Sequence, residues 1–173
     1  MKKLFILLFA ILSFSFVYAQ KGTANYLSEK RGFKCFKLGA PISIYKDIVT
    51  PTKDNPNTYS VTDSTLFTIG NDIKLRHIFI KTFNDSVYSV SLMAKPEYRY
   101  KIKNVLIAAF GAWSFQPNKY IERYYWVSSD QKIELLLDCN YRQWCIVTYK
   151  DLEIDLKKGK LDFMKDKKAA DDL

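Results

Sequence analysis

The fold is decided by residues 96 to 111, which read PEYRYKIKNVLIAAFG and have the pattern of an amphipathic helix. Pro96 suits the first helical position, because its φ is already helical and its missing N–H would have no partner there. Glu97 lies where the helix dipole favours an anion, and Gly111 is a common C-terminal stop. Apolar residues recur at steps of three and four, namely Tyr98, Ile102, Val105, Leu106, Ala109 and Phe110. We therefore predict a helix that begins at Pro96 and ends before Gly111.

Strand patterns flank this helix on both sides. Before it, β-branched, aromatic or alternating apolar residues predict strands within residues 59 to 69, 73 to 79 and 88 to 92, with a bulge or turn at Asp63 and Ser64. After it, strands are predicted within residues 120 to 127, 133 to 137 and 143 to 149. Polar, turn-forming residues separate the strands in each set, so each set is expected to form an antiparallel meander.

The resulting fold class is α+β, with a short helix and a three-stranded antiparallel meander that occur twice, α-βββ-α-βββ. The first helix is predicted over residues 41 to 48, because Pro41 can open it and Ile44 and Ile48 are four residues apart. A further helix is predicted within residues 150 to 173, where it would pack Leu161 and Met164.

The first nineteen residues have the pattern of a cleavable secretory signal peptide. Lys2 and Lys3 precede an apolar run over residues 4 to 17. The small residues Val17 and Ala19 stand at the two positions that signal peptidase reads before the cut. The run contains two serines and ends at Gln20, so it is short for the roughly 20 apolar residues that span a bilayer. We expect a periplasmic or secreted protein with no stable membrane insertion after cleavage.

Cleavage after residue 19 leaves 154 of the 173 residues, the length of one domain. Residues 20 to 32 are predicted to be a flexible lead-in, residues 33 to 165 a single α+β domain, and residues 166 to 173 a frayed tail. The net charge of +9 falls to +7 when the two signal-peptide lysines leave. Export argues against a nucleic-acid partner, so we interpret this charge as favouring solubility and attraction to anionic envelope surfaces.

Three cysteines, Cys35, Cys139 and Cys145, allow at most one disulfide within the chain. A two-residue turn after Cys139 would place Cys139 and Cys145 on different faces and forbid a bridge, whereas a longer turn would permit one. We hypothesise a Cys139–Cys145 disulfide with Cys35 as a buried free thiol. No close pair of metal ligands occurs, and we expect neither a metal nor a cofactor.

Sequence motifs for catalysis are missing, and no catalytic residue is assigned. His77, the single histidine, alternates with Ile73, Leu75 and Phe79, which predicts a hydrogen-bonded core position rather than a catalytic base. Paired carboxylates could still serve a hydrolase, because two acids can come from distant parts of a chain. The candidates are on or beside the later strands: Glu122, Glu134 and Asp138.

Trp113 and Phe115 are candidate binding residues. They lie in a loop after the central helix, where no periodicity requires a large aromatic side chain. They could fold back over the end of the core, or they could form an exposed contact site for a protein or a sugar, because Trp is enriched at binding hot spots.

Two segments suggest a family resemblance. FKLGAP at residues 36 to 41 precedes the short helix, and VLIAAFG at residues 105 to 111 precedes YYW at residues 124 to 126 in a strand. This order of helix, glycine and aromatic strand resembles the exported α/β-repeat group that includes the β-lactamase-inhibitor protein and the small outer-membrane-assembly lipoprotein. The lipidated cysteine of the lipoprotein has no counterpart here. The resemblance implies the architecture and a non-catalytic, protein-binding character, and it assigns no functional residue.

These observations favour an exported non-catalytic binding or scaffold protein of the bacterial cell envelope, whose partner is an envelope protein or a glycan. The alternative is a small secreted hydrolase that uses paired carboxylates. A concave pocket with two convergent carboxylates would favour the hydrolase, whereas a smooth sheet face edged by aromatic side chains would favour the binding protein.

Export is expected to produce a mature chain that begins at Gln20, because signal peptidase reads the small residues at Val17 and Ala19. Mass spectrometry of the protein recovered from the producing bacterium measures this N-terminus directly. An intact Met1 would contradict the signal peptide.

Overall fold

The structure is a computed structural model that describes residues 22 to 170, with side chains as far as residue 167. The predicted signal peptide, residues 1 to 19, lies outside the described residues. The described residues contain three α-helices: α1 (Ala24–Lys30), α2 (Arg99–Phe110) and α3 (Leu152–Ala170). Single 3-10 turns occur at Ile42–Tyr45, Ser64–Leu66 and Pro96–Tyr98.

Two sheets contain the ten strands of the described residues. The small one pairs β1 (Gly32–Phe33) with β2 (Phe36–Lys37). The main sheet contains β3 (Val49–Pro51), β4 (Thr58–Val61), β5 (Thr68–Ile69), β6 (Ile73–Phe83), β7 (Ser86–Ala94), β8 (Arg123–Val127), β9 (Ile133–Asp138) and β10 (Cys145–Asp151). Its order is β3-β4-β6-β7-β10-β9-β8, with β5 paired to β6 beside this path, and all its pairings are antiparallel. The α+β prediction is therefore confirmed.

The central helix forms where its sequence pattern predicts. A 3-10 turn at Pro96 leads into α2, which buries Ile102, Leu106 and Phe110. Gly111 ends the helix with φ 81°, and its N–H donates to the Ile107 carbonyl at 2.8 Å. A Cβ at this glycine would lie 2.5 Å from the carbonyl oxygen of Gly22, so no other residue fits without a backbone shift.

The main sheet has one packed face, which we call the inner face. Its side chains are almost fully buried and include Ile78, Ile80, Val90, Leu92, Leu135, Leu137 and Val147. Both α1 and α2 cover it, because Tyr26 of α1 contacts Phe110 of α2, and Phe110 in turn contacts Tyr149 of β10. Burial of this apolar layer is the main source of stability, at about 25 cal/mol per Å² of apolar surface removed from water.

The predicted core position of His77 is wrong. The pairing of β6 with β7 shifts between Leu75 and His77, which leaves Arg76 as an extra residue in the strand. Such a bulge reverses the alternation of side chains beyond it. Ile73 and Leu75 therefore lie on the inner face, whereas His77 and Phe79 lie on the opposite face, and His77 is exposed.

The segment predicted as a flexible lead-in contains helix α1 from residue 24 onward. Thr23 caps this helix by accepting a hydrogen bond from the Tyr26 N–H, and Leu27 is completely buried in the core. The first predicted helix is shorter than expected, a single 3-10 turn at Ile42–Tyr45. Residues 166 to 170, predicted to fray, continue helix α3, and residues 171 to 173 lie outside the described residues.

Helix α3 is placed by Asp151, the last residue of β10. One carboxylate oxygen of Asp151 accepts the N–H groups of Glu153 and Ile154 at 3.1 Å, and the other lies 3.3 Å from the Arg31 guanidinium. The predicted packing of Leu161 and Met164 is wrong, because these side chains are 46% and 65% exposed.

The turn between β9 and β10 brings Cys139 and Cys145 together. Asp138 pairs with Ile146, so the two cysteines lie directly opposite each other, with five residues between them. Their Cα atoms are 4.2 Å apart, and the structure joins the sulfur atoms in a disulfide. This is the longer turn that permits a bridge, rather than the two-residue turn that forbids one. Cys35 is exposed in the turn between β1 and β2, which corrects the expectation of a buried thiol.

Denatured, unreduced protein is expected to contain one reactive thiol, because the disulfide removes two of the three cysteines. Thiol titration followed by peptide mapping should place the label on Cys35, and the Cys35→Ser variant should give no label before reduction. Three reactive thiols in the unreduced protein, or a label on Cys139, would contradict the pairing.

Candidate functional site

The second face of the main sheet is open, and we call it the open face. Its centre is formed by partly exposed apolar side chains of four neighbouring strands: Phe79, Met93, Leu136 and Ile146. Ser91 and Thr148 lie beside them and share a hydrogen bond of 3.1 Å. A sheet with one packed face and one open face normally carries polar residues on the open one. Here the centre of the open face is apolar.

A depression of about 530 Å³ occupies this face. The loop at residues 52 to 57 borders it on one side, and Tyr141 in the loop between β9 and β10 borders it on the other. Ligand sites in proteins commonly have volumes of about 300 to 1,000 Å³ and combine an apolar lining with a few polar groups. The depression has these properties.

Aromatic side chains flank the depression beside the first half of β6. The His77 ring stacks on Phe79 with centroids 5.8 Å apart, and it meets the Trp144 ring edge-on at 5.7 Å. His77 is therefore an exposed member of an aromatic cluster rather than a core residue. The sequence contained a signal for Trp144, because Trp144, Ile146 and Thr148 alternate with the buried Cys145, Val147 and Tyr149.

Asp138 is the most strongly bonded carboxylate on the open face. It accepts hydrogen bonds from Arg123 Nε at 2.8 Å and from the backbone and side-chain nitrogens of Asn140 at 3.1 and 2.8 Å. Burial opposes ionisation of Asp138, but the hydrogen bonds from Asn140 and Arg123 outweigh burial and lower the pKa of the carboxyl below its usual value. The same pair raises the pKa of Arg123. Asp138 thus orients Arg123 and stays ionised, which does not suit a proton donor.

The three carboxylates considered for a hydrolase do not come together. Glu134 and Asp138 are four residues apart on one side of β9, which separates them by about 13 Å, whereas glycosidase pairs lie about 5 to 9.5 Å apart. Glu122 precedes the strand residue that pairs with Asp138, so it lies toward the inner face, 3.6 Å from the Arg99 guanidinium.

The two predicted binding residues, Trp113 and Phe115, lie on opposite sides of the sheet edge formed by β8. Trp113 packs on the buried Tyr124 with centroids 4.9 Å apart, and the Lys103 ammonium lies over both rings. Phe115 packs on Tyr125, which faces the other way, and its backbone pairs with Tyr125 at the edge. They are 37% and 59% exposed, and they do not form one site.

Within residues 22 to 170, no group of three or more His, Cys, Asp or Glu side chains is arranged to hold a metal ion. None of the helices described has the length and apolar character needed to cross a membrane.

The Asp138→Asn variant is expected to lower the free energy of unfolding at pH 7 by about 2 kcal/mol, the scale of hydrogen bonds to charged groups. Because folding lowers the pKa of Asp138, its contribution is complete above the unfolded pKa of about 4 and disappears as the pH falls through the folded pKa. The difference between the wild type and the variant should therefore shrink at acidic pH.

Urea unfolding at pH 7 and at pH 3 measures this difference. Glu134→Gln is the matched control, because it makes the same chemical change on the same side of β9. A difference that stays constant between the two pH values would contradict the proposed role of the ionised carboxylate.

Comparison with known proteins identifies no family for this chain. No family model, no curated protein and no solved structure matches the chain.

Proposed function

We propose that this protein is an exported, non-catalytic binding protein of the bacterial cell envelope, and that its partner, an envelope protein, docks on the open face of the main sheet. The observation that carries the proposal is the apolar centre of that face, formed by Phe79, Met93, Leu136 and Ile146. Contiguous apolar side chains that stay partly exposed on a domain surface commonly mark an interaction site.

The composition of the open face fits protein recognition. Protein interfaces have an apolar centre with a polar rim, and their aromatic residues supply a large share of the binding energy. Trp144, Tyr141 and His77 provide aromatic contacts beside the apolar centre. The hydroxyl groups of Ser91 and Thr148 supply a polar element within it.

The envelope location is proposed from two features. Residues 1 to 19 have the three-part pattern of a signal peptide. The Cys139–Cys145 disulfide would persist in an oxidising compartment such as the periplasm.

We also propose that the chain contains one structural unit twice, as in the exported α/β-repeat group that it resembles. Strands β4, β6 and β7 form one antiparallel meander, and β8, β9 and β10 form another. The two meanders meet where β7 pairs with β10. This arrangement supports a relationship to that group through architecture, without a shared functional residue.

The alternative function, a hydrolase with paired carboxylates, has less support. Glu122, Glu134 and Asp138 are separated by distance or by the sheet itself, and Asp138 is held ionised beside Arg123. A glycan partner stays open as an outcome of the test, because stacked aromatic rings also suit sugars.

The Trp144→Ala variant is expected to weaken partner binding by about tenfold or more, since truncation of a hot-spot tryptophan typically costs about 2 kcal/mol. Envelope extract is passed over the immobilised mature protein, and the bound protein and glycan are quantified for each variant. Trp113→Ala is the matched control, because it removes the same side chain from the opposite side of the sheet edge.

Loss of binding in Trp144→Ala with retention in Trp113→Ala would support the open face. The reverse result would move the site to the loop that contains Trp113. Bound glycan without protein would replace the proposed partner class, and hydrolysis of that glycan would overturn the non-catalytic assignment.

A further inference from the structure

The distribution of apolar and charged side chains around helix α3 is the reverse of that in an ordinary surface helix. Such a helix normally turns its apolar side toward the core. In α3 the side toward the sheet is charged: Asp155, Lys158 and Asp162 all act electrostatically on the phenol of Tyr88, a buried residue of β7. Asp155 also lies 3.5 Å from the Lys150 ammonium, and Lys158 donates to Asp162 along the helix.

The solvent side of α3 is apolar. Leu156, Phe163 and Met164 are 65%, 69% and 65% exposed, which makes them among the most exposed large apolar side chains of the described residues. With 3.6 residues per turn, positions 156, 160, 163, 164 and 167 fall on one side of a helix. We call this side the lipid stripe; it contains Leu156, Lys160, Phe163, Met164 and Lys167.

Charge is distributed unevenly around α3. Residues 150 to 173 contain seven lysines and seven acidic residues, so the charges of the whole segment cancel. The acidic Asp155 and Asp162 are turned toward the sheet, whereas Lys160 and Lys167 are exposed within the lipid stripe. Glu153 also lies near the stripe, but it accepts a hydrogen bond of 2.8 Å from Lys157. The exposed surface of α3 is therefore apolar with an excess of positive charge, since its described side chains include four exposed lysines and two exposed acids: Lys157, Lys160, Lys165 and Lys167 against Glu153 and Asp166.

We propose that α3 binds reversibly to an anionic lipid surface through the lipid stripe. Interfacial helices lie parallel to the membrane, with Phe and Leu at the boundary between headgroups and acyl chains, and with lysines that reach the anionic headgroups. Leu156 and Phe163, two turns apart, would enter that boundary, and Lys160 and Lys167 would contact lipid phosphates. Binding of this kind is peripheral, so it requires no helix that crosses the membrane.

A second copy of the chain suits this side less well than lipid. Lys160 and Lys167 are seven residues apart, so two α3 helices packed in parallel through the stripe would bring like charges together along the contact. The surface is also separate from the open face, since its side chains point away from the sheet. Lipid binding through this stripe therefore does not depend on partner binding at the open face.

Co-sedimentation of the mature protein with lipid vesicles tests the proposal. The wild type is expected to bind vesicles that contain phosphatidylglycerol and to bind pure phosphatidylcholine vesicles much more weakly, with a loss of binding at high salt. The Leu156→Ser/Phe163→Ser variant should lose about tenfold or more of its partition onto the anionic vesicles. Ile44→Ser is the matched control, because Ile44 is 63% exposed at a 3-10 turn outside α3.

Circular dichroism of the double variant should match the wild type, because both side chains are already mostly exposed. Lys160→Glu/Lys167→Glu is a second variant, which retains the apolar residues and tests the contribution of the two lysines. Equal vesicle binding by the double variant and the wild type would overturn the proposal. A wild-type protein that forms a stable dimer, together with a double variant that is monomeric, would also overturn the proposal. Trp144→Ala should retain vesicle binding, which separates a failure here from a failure of the open-face proposal.

Discussion

The pairing of β7 with β10 is the contact on which the rest of the structure depends. Six residue pairs, from Cys145 opposite Ala94 to Lys150 opposite Ser89, join strands that are more than fifty residues apart in the chain. This pairing unites two meanders in one sheet, and it places Val147 beside Leu92 on the inner face and Ile146 beside Met93 on the open face. Both meanders contribute side chains to the one inner face, so each half would lose part of its buried layer without the other.

The sequence predicted the elements whose signals are local. Helix α2 and most strands have a periodicity that neighbouring residues reveal without tertiary information. The bulge at Arg76 was not predictable in this way, because it depends on which residues of β7 lie opposite Leu75 and His77. Helix α1 was missed because it is short and is anchored by two adjacent side chains, the buried Leu27 and the partly buried Tyr26, which set no helical period in a polar segment.

The candidate site was harder to predict, since it is the face of the sheet that α1 and α2 leave uncovered. The alternation of Trp144, Ile146 and Thr148 shows two sides of a strand, but it does not show that α1 and α2 both pack on the other side. Trp113 and Phe115 were correctly identified as aromatic residues outside the regular elements. They are separated because they pack on Tyr124 and Tyr125, which point to opposite faces of β8. This packing requires β8 to lie at the edge of the sheet, a position that local sequence does not reveal.

Asp151 gives the structure a mechanical property. Helix α3 starts immediately after β10 with no intervening loop, and the Asp151 carboxylate joins the first turn of α3 to Arg31 at the end of α1. β10 lies inside the sheet with hydrogen-bonded neighbours on both sides, β7 and β9. A force applied along α3 would therefore load an interior strand in shear, across two ladders of hydrogen bonds at once. Because α3 continues β10 directly and Asp151 joins its first turn to Arg31, any surface that holds the helix also sets the direction in which the sheet faces.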